Sequence, residues 1–448
     1  MPKDLIDRRP PEDVAAVVLP VIGGADVARS RLEESQGLAE ALGVKLAFTE
    51  QLTVREPHPA RLFGMGQLDA LAKRFKADGV TLFIVDGALT PVQQRNLEQE
   101  LKLKVVDRTG LILEIFGLRA RTAEGRLQVE MARSLYERSR LVRTWTHLER
   151  QRGGFGFLGG PGESQLETDR RLLDKRIAGF RHELEDVRRT RRLQREGRAR
   201  RGAPVAAIVG YTNAGKSTLF NRLTSSDVLA ADMPFATLDP TAREIVAASG
   251  RRIALVDTVG FITDLPTTLV AAFRATLEEA MEAELLVHVR DIAHPDTEYQ
   301  ANDVYTILDQ LSEETELDRP PVIEVWNKAD ALDSATREVL AKRAAGHNPP
   351  ALLVSALTGQ GTDDLLFHIE AALFSNRKPR TVTIPATDGR LHAWLHHNCE
   401  VSSEMLAGDS DLKLEVFMTD EDVARLKAMS KDVVVTGRRG NAGAAGED

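Results

Sequence analysis

The chain has 448 residues, 42% of them hydrophobic and 28% charged, with a net charge of −8. This size predicts two to four domains, and the composition is typical of a soluble globular protein. No apolar run is long enough to cross a bilayer, and we find no signal segment, so we expect no membrane span and a cytoplasmic location. The single cysteine, Cys399, excludes a disulfide framework within the chain and suits a reducing compartment.

Residues 12–118 alternate strand-like and helix-like segments, beginning with "VAAVVLPVI" and "RSRLEESQGLAEALG". This alternation predicts a small α/β domain with a mainly parallel sheet. From about residue 127 the apolar residues keep a helical spacing instead. After a glycine-rich loop, an apolar seam continues at steps of four and three, through Leu173, Ile177, Phe180, Leu184 and Val187. The two segments predict an antiparallel helical hairpin with the loop at its tip.

The end of this hairpin is strongly basic although the whole chain is acidic. Between Asp169 and Arg201 thirteen Lys and Arg residues stand against six Asp and Glu residues. Such a segment can bind nucleic acid whatever the total charge. The alternative interpretation is a solvated coiled coil with a loose connector. The loop itself, "RGGFGFLGGPGESQ", is not a phosphate site, because no strand precedes it and the Lys-Ser/Thr pair is absent.

A phosphate-binding loop is predicted further along the chain, in "APVAAIVGYTNAGKSTLFNRL". An apolar strand precedes the Gly-x-x-x-x-Gly-Lys-Ser pattern and a helix pattern follows it, as this motif requires. Backbone N–H groups of such a loop point at phosphate oxygens, the lysine reaches the β- and γ-phosphates, and the serine hydroxyl coordinates Mg²⁺. The predicted nucleotide-contacting residues here are Gly210, Tyr211, Thr212, Asn213, Ala214, Gly215, Lys216, Ser217 and Thr218.

Two neighbouring segments complete the predicted phosphate and metal site. In "RRIALVDTVGF", Asp257 ends a strand and can hold Mg²⁺ through water, while the Gly260 N–H can meet the γ-phosphate. In "MPFATLDPT", Thr237 can supply a second metal-ligating hydroxyl beside that of Ser217, although it could also be an ordinary loop threonine. The residues predicted to act in hydrolysis are Lys216, Thr237, Gly260 and Asn213.

The base-recognition segment is "VIEVWNKAD", an apolar strand followed by Asn327, Lys328 and Asp330. A carboxylate accepts hydrogen bonds from guanine N1–H and N2–H₂, whereas adenine lacks this donor pair and would leave the charge unpaired. The segment "LLVSAL" then places Ser355, Ala356 and Leu357 at the end of a strand, where the Ala356 N–H can donate to guanine O6. Together these motifs predict a Ras-like P-loop GTPase domain that binds GTP and GDP.

The residue after Gly260 is unusual for a GTPase. Many GTPases place a glutamine there to orient the attacking water, whereas this chain has Phe261. We therefore expect slow intrinsic hydrolysis, or hydrolysis that depends on groups from a partner. Asn213 could help to hold a potassium ion beside the phosphates, or it could merely tighten the loop.

The last predicted unit, residues 381–435, has three strand-like and two helix-like segments and reads as a small α+β domain. Its residues His396, His397 and Cys399 fit no common zinc spacing, so we expect no metal there. The predicted division has an N-terminal α/β part, a hairpin with a basic linker, a GTPase domain, a C-terminal domain and a disordered tail, at residues 1–120, 121–202, 203–375, 376–436 and 437–448.

With these residues in place, the sequence resembles the HflX family of GTPases. The matching stretches are "GGFGFLGGPGESQLETDRRLLDKRI", "GYTNAGKSTLFNRL", "FATLDPTAR", "DTVGFI" and "NKAD". The resemblance implies a protein that binds the 50S ribosomal subunit and whose GTP form splits 70S ribosomes, notably when they are stalled or under stress such as heat. It also implies a hairpin inserted toward the peptidyl-transferase region of 23S rRNA, which makes these residues RNA-contact candidates: Arg152, Phe155, Phe157, Arg170 and Arg171.

Two other functions are also compatible with the sequence. The N-terminal domain could hold a protein partner while the GTPase domain times that contact, with no RNA involved. Alternatively, the protein could act on another structured RNA, such as tRNA or an assembling ribosomal particle. We expect a monomer in each case.

Overall fold

The computed structural model describes most of the chain. The described residues are 13–22, 28–151, 161–199, 203–225, 234–235, 241–263, 280–315, 317–375, 378–407, 411–430 and 433–437. Among them, no helix combines the length and the apolar character that crossing a bilayer requires.

The N-terminal part contains a four-stranded parallel sheet in the order β2-β1-β3-β4. Its strands are β1 Val14–Val21, β2 Lys45–Thr53, β3 Leu82–Val85 and β4 Lys104–Asp107. Its helices are α1 Ala28–Ala41, α2 Met65–Asp78, α3 Pro91–Leu101 and α4 Arg108–Arg119. Consecutive residues of β1 are buried, because both faces of the sheet are covered by helices. Helix starts are set by local capping, as where the Thr90 hydroxyl accepts a hydrogen bond from the Gln93 N–H.

Two long helices follow, α5 Ala123–Gln151 and α6 Pro161–Ala199, and they pack against each other in antiparallel fashion. Arg138 of α5 pairs with Asp174 of α6 at 3.0 Å. Nearer the sheet, Ile177 and Leu184 of the predicted seam are buried. The hairpin is therefore anchored on the N-terminal part by its apolar seam, while the basic end of α6 continues as helix to Ala199.

The next part is a six-stranded sheet in the order β10-β9-β8-β5-β7-β6, parallel except for the β6–β7 pair. Its strands are β5 Val205–Gly210, β6 Thr241–Val246, β7 Arg252–Asp257, β8 Leu285–Asp291, β9 Val322–Asn327 and β10 Ala351–Leu353. Its helices are α7 Lys216–Thr224, α8 Thr297–Thr315, α9 Ser334–Ala345 and α10 Thr362–Phe374, with a short 3₁₀ helix at Ala329–Ala331. The strand order reverses at β5, so a crevice opens at its carboxyl end, where such sheets bind ligands.

The C-terminal part is a four-stranded antiparallel sheet in the order β12-β13-β11-β14 with two helices. Its elements are β11 Lys378–Pro385, α11 Gly389–Asn398, β12 Glu400–Ala407, β13 Asp411–Met418, α12 Asp420–Met429 and β14 Val434–Gly437. Buried Val382, Leu391 and Leu426 join both helices to the sheet. The predicted fold class is thereby confirmed, whereas the residue boundaries of the predicted domains stay predictions. Most of the predicted tail lies outside the described residues.

Candidate nucleotide-binding site

The predicted phosphate loop joins the carboxyl end of β5 to the first residue of α7, as the motif requires. Gly215 caps α7 with a φ of 92°, and a Cβ there would overlap the Asn327 amide nitrogen. Asn213 is also left-handed, with a φ of 60°. The loop therefore needs glycine at 215 both for its backbone conformation and for the close approach of Asn327.

The lysine, serine and aspartate of the predicted phosphate and metal site lie together. Lys216 is buried, and its Nζ donates to the Tyr211 carbonyl oxygen at 2.7 Å. Burial lowers the pKa of Lys216 to about 8, against an opposing pull from the Asp257 carboxylate. The Ser217 hydroxyl donates to Asp257 Oδ2 at 2.8 Å. A hydroxyl and a carboxylate oxygen at this separation are the ligand types that Mg²⁺ prefers.

Gly260 lies directly over the lysine, and Phe261 turns away from it. A Cβ on Gly260 would stand 2.7 Å from Lys216 Nζ and 2.9 Å from Thr212 Cα. The Phe261 backbone pairs with the phosphate loop, accepting from the Thr212 N–H at 2.7 Å. The phenyl ring is only 2% exposed and packs in the core around Val209 and Tyr211. The Phe261 side chain is therefore enclosed in this core and is shielded from water.

The base-recognition residues are connected to the phosphate loop through Asn327. Its Nδ2 donates to the Ala214 carbonyl oxygen at 2.8 Å, and its Oδ1 accepts from the Ala356 N–H at 2.9 Å. Ser355 Oγ donates to Asp330 Oδ1 at 2.5 Å. Since the Ala356 N–H is engaged by Asn327, its contact with guanine O6 stays a prediction.

Some of the other predicted residues lie in the described part of the chain, and some lie outside it. Lys328 pairs with Asp291 at 2.8 Å beside this site, and Leu357 is exposed. Arg170 and Arg171 are exposed on α6, where Arg171 pairs with Glu167. The others lie outside the described residues: Thr237, Arg152, Phe155 and Phe157.

A buried polar network that the sequence motifs did not predict joins the phosphate loop to the N-terminal sheet. The Tyr211 hydroxyl contacts Glu34 of α1 and Thr263, two residues after Phe261. Arg108 of α4 contacts Glu34 and donates to the Thr263 carbonyl oxygen at 2.8 Å and to Asp86 at 2.6 Å. Burial alone would lower the pKa of Arg108, but the two carboxylates raise it above its ordinary value. The guanidinium therefore stays charged and holds both carboxylates in place.

Apolar side chains from the loops around the nucleotide site also enter the core of the N-terminal part. Phe235, two residues before Thr237, is buried, and its ring meets that of Phe116 edge-on at 4.5 Å between centroids. Val259 and Ile262, on either side of Gly260 and Phe261, are buried in the same cluster. We call this cluster the shared core; α4, α5 and α6 contribute Leu111, Ile112, Phe116, Met131, Ala132 and Leu184.

Sequence profiles of known families match four stretches of the chain. Residues 29–117 match a profile described as GTP-binding GTPase N-terminal, and residues 119–198 match GTP-binding GTPase Middle Region. Residues 205–328 match 50S ribosome-binding GTPase, and residues 339–431 match the HflX C-terminal domain. These four stretches cover well over half of the chain.

Individual proteins are similar over nearly the whole length. The GTPase HflX of Magnetococcus marinus is 46% identical over 402 residues, which are 90% of this chain and 91% of that protein. The GTPase HflX of Escherichia coli is 42% identical over 411 residues, 92% of this chain and 95% of that protein. Among solved structures, the complex of SsGBP with GDP is 25% identical, covers 81% of this chain and 99% of its own, and has a TM-score of 0.47.

The resemblance stated from the motifs is confirmed by these relatives, and the arrangement of Lys216, Asp257 and Asn327 around one crevice agrees with it. With relatives above 40% identity over nine-tenths of both sequences, the chain is a GTPase that belongs to the HflX family.

Proposed function

We propose that this GTPase is a nucleotide-controlled switch that associates with the 50S ribosomal subunit in its GTP form and splits stalled 70S ribosomes. The shared core carries this proposal. Phe235, Val259 and Ile262 come from the loops that border the nucleotide site, and they pack with the helices that anchor the hairpin. A displacement of these loops by a γ-phosphate therefore has to change the packing at the base of the hairpin.

We assign the nucleotide contacts to the residues brought together in the crevice. The backbone from Gly210 to Thr218 surrounds the phosphates, and Lys216 exchanges the Tyr211 carbonyl for phosphate oxygens. Asp330 accepts the guanine donors, and Asn327 braces that loop against Ala214. The guanine base is further positioned by Ser355, Ala356, Leu357 and Lys328.

Ser217 would hold Mg²⁺ directly, Asp257 would hold it through water, and Thr237 would add a hydroxyl when the triphosphate is bound. Bound there, Mg²⁺ supplies positive charge that offsets charge developing on the phosphate oxygens. Asn213, which lies in the phosphate loop with a φ of 60°, would help to hold K⁺ beside the phosphates.

Hydrolysis by the isolated protein should be slow. The Phe261 side chain has no polar atom and is buried in the core, so it cannot orient a water molecule, even after a change of rotamer. We infer that the ribosome completes the catalytic arrangement. This makes the contact with the ribosome the event that ends the GTP state.

The hairpin has the size required to reach into a large particle. At a rise of about 1.5 Å per residue, α5 with 29 residues is roughly 40 Å long, and α6 with 39 residues roughly 60 Å. Exposed Arg170 and Arg171 lie near the start of α6, next to the glycine-rich tip loop. Arginines at this end can neutralise phosphates, and Phe155 and Phe157 in the loop can stack on unpaired bases of 23S rRNA.

Sucrose-gradient sedimentation tests the proposal with the full chain, purified 50S and 70S particles, and GTP, GDP or a non-hydrolysable GTP analogue. We expect co-sedimentation with 50S and loss of the 70S peak with the analogue, and neither with GDP. GTP hydrolysis should rise at least about tenfold on addition of 50S or 70S particles, since an added catalytic group is commonly worth more than that. Co-sedimentation that ignores the nucleotide, with unstimulated hydrolysis, would exclude the switch.

The same gradients distinguish the other two functions. A protein-binding regulator would leave both ribosomal peaks unchanged at every ionic strength, because its partner is absent. A GTPase for another RNA would bind free tRNA or immature particles better than mature 50S. We expect a cytoplasmic monomer, and the sedimentation profile without ribosomes measures its oligomeric state.

A further inference from the structure

Two histidines and a glutamate converge on the surface of the C-terminal sheet, far along the chain from the nucleotide motifs. His392 and His396 lie one turn apart on α11, so both side chains project from one face of the helix. Glu404 lies on β12 beside that face. Its Oε1 is 3.1 Å from His392 Nε2, and its Oε2 is 3.2 Å from His396 Nε2. Each carboxylate oxygen thus faces a different imidazole.

We propose that His392, His396 and Glu404 bind one divalent transition-metal ion of the zinc class. Two imidazole nitrogens and one carboxylate form a ligand set that zinc sites use, with an open fourth position for water. The candidate ligand atoms all lie within 4.8 Å of one another, so a small rotation of these solvent-accessible side chains brings them to the bonding distances of about 2.0–2.2 Å around one ion. Within the part of the chain that the structure describes, no other group of three such residues meets this criterion.

The site is held by the fold and is open to solvent. The adjacent face of α11 places Leu391 and Leu395 in the core, and the Asp388 side chain caps the start of the helix at 3.0 Å from the Leu391 N–H. Side-chain exposure of the three ligand residues is 37%, 44% and 35%, so an ion can enter without a buried charge being created. Donors on a helix and a strand keep their separation better than donors on loops.

The imidazole groups of His392 and His396 favour a transition-metal ion over Mg²⁺. Mg²⁺ prefers carboxylate, carbonyl and water oxygens, whereas imidazole suits zinc and its transition-metal neighbours. The ion would replace two hydrogen bonds by three coordinate bonds and would connect α11 to β12, an edge strand of its sheet. Since binding selects the folded state, the C-terminal part should melt at a higher temperature with Zn²⁺.

The sequence pattern could not predict this site. It drew attention to His396 together with His397 and Cys399, and no zinc spacing fits that trio. Cys399 is buried in the core, and the side chain of His397 lies outside the described ones. The structure instead brings His396 together with His392, one helical turn earlier, and with Glu404 on the next strand.

Equilibrium dialysis of the untagged full chain against Zn²⁺ tests the proposal, with excess Mg²⁺ and GDP present so that the nucleotide site is occupied. We expect one Zn²⁺ per chain. Because loss of even an indirect partner of a metal ligand costs about 10–100-fold, His392→Gln or His396→Gln should weaken binding by more than about 100-fold. His368→Gln on α10, also an exposed helical histidine, should bind Zn²⁺ as the unchanged protein does.

Folding of the variants is checked by melting without metal, where all of them should match the unchanged protein within a few degrees. Glu404→Gln keeps the shape of the side chain, so it serves if a histidine variant misfolds. It should also lose the Zn²⁺-dependent rise in melting temperature. Equal Zn²⁺ affinity in His396→Gln, Glu404→Gln and the unchanged chain, or no stoichiometric binding at all, would overturn the proposal.

Discussion

At Gly260 the structure leaves no room for a side chain. An added Cβ would stand 2.7 Å from Lys216 Nζ and 2.8 Å from Thr212 Cγ2. We predict that Gly260→Ala lowers the GTP hydrolysis rate at least about tenfold. The displaced lysine and backbone need to raise the activation free energy by only about 1.4 kcal/mol to give that factor. Single-turnover hydrolysis measures it. Gly179→Ala, on α6 with open space around it, should leave the rate unchanged; equal rates in both variants would contradict the steric account.

The base-selecting role proposed for Asp330 can be distinguished from an effect on local stability by comparison with a neighbouring aspartate. Asp330→Asn would replace one of the two carboxylate oxygens proposed to accept guanine N1–H and N2–H₂ by an NH₂ donor and would remove the charge, so GDP affinity should fall by about 10–100-fold, the equivalent of roughly 1–3 kcal/mol. Asp333→Asn is the control, since Asp333 caps α9 through the Thr336 N–H and asparagine caps equally well. Fluorescent GDP titration measures both. Similar losses in the two variants would contradict the assigned role.

The buried lysine predicts proton uptake on nucleotide binding. Burial lowers the pKa of Lys216 to about 8, so above that pH most of its amine is neutral in the empty site. Phosphates favour the ammonium form and raise the pKa again. Near pH 8.5, GDP binding should take up roughly half a proton or more, and near pH 7 almost none. Calorimetry in two buffers with different ionisation enthalpies measures this; enthalpies that agree near pH 8.5 would contradict it.

The Tyr211 hydroxyl is a polar link between the phosphate loop and α1. Tyr211→Phe keeps the ring in its core and removes the contacts to Glu34 and Thr263. Tyr305→Phe is matched, because it removes a hydroxyl that donates to Glu324 at 2.7 Å within the six-stranded-sheet part. Both should lower stability by about 1–3 kcal/mol.

We predict that only Tyr211→Phe weakens the stimulation of hydrolysis by 50S subunits, by roughly five- to tenfold for about 1–1.4 kcal/mol of coupling free energy. Melting curves give the stability of both variants, and phosphate release with and without 50S gives the stimulation. Equal stimulation in the two variants would mean that the link does not transmit the nucleotide state.

Motifs written in consecutive residues were predictable from the sequence, and contacts between distant segments were not. The GTPase fold and the strand-loop-helix around Lys216 follow from local spacing and apolar periodicity. The Glu34–Thr263 contact spans 229 positions and the Arg108–Thr263 contact spans 155, and no periodic pattern encodes such pairs. The burial of Phe235, Val259 and Ile262 could not be predicted from local patterns, because it depends on helices that come much earlier in the chain.

Charge on the hairpin should govern the proposed binding to the ribosome. We predict that Arg170→Glu combined with Arg171→Glu weakens 50S binding and reduces the dependence of log affinity on log salt by roughly 0.7–0.9 for each phosphate that is no longer neutralised. Arg425→Glu with Lys427→Glu makes the same charge change on exposed positions of α12 and should leave the slope unaltered. Sedimentation at several salt concentrations measures both. Indistinguishable slopes would remove the hairpin as the RNA-binding element.

The stretch from Val259 to Ile262 is tied to two cores at once. Val259 and Ile262 point into the shared core, and Phe261, between them in sequence, points into the core beneath the phosphate loop. If the γ-phosphate lies beside Gly260 as proposed, this glycine cannot shift alone when the phosphate leaves, since even a small movement would open gaps in both cores. The protein should therefore have two discrete conformations with few populated intermediates. Loss of a single phosphate should be enough to convert one conformation into the other.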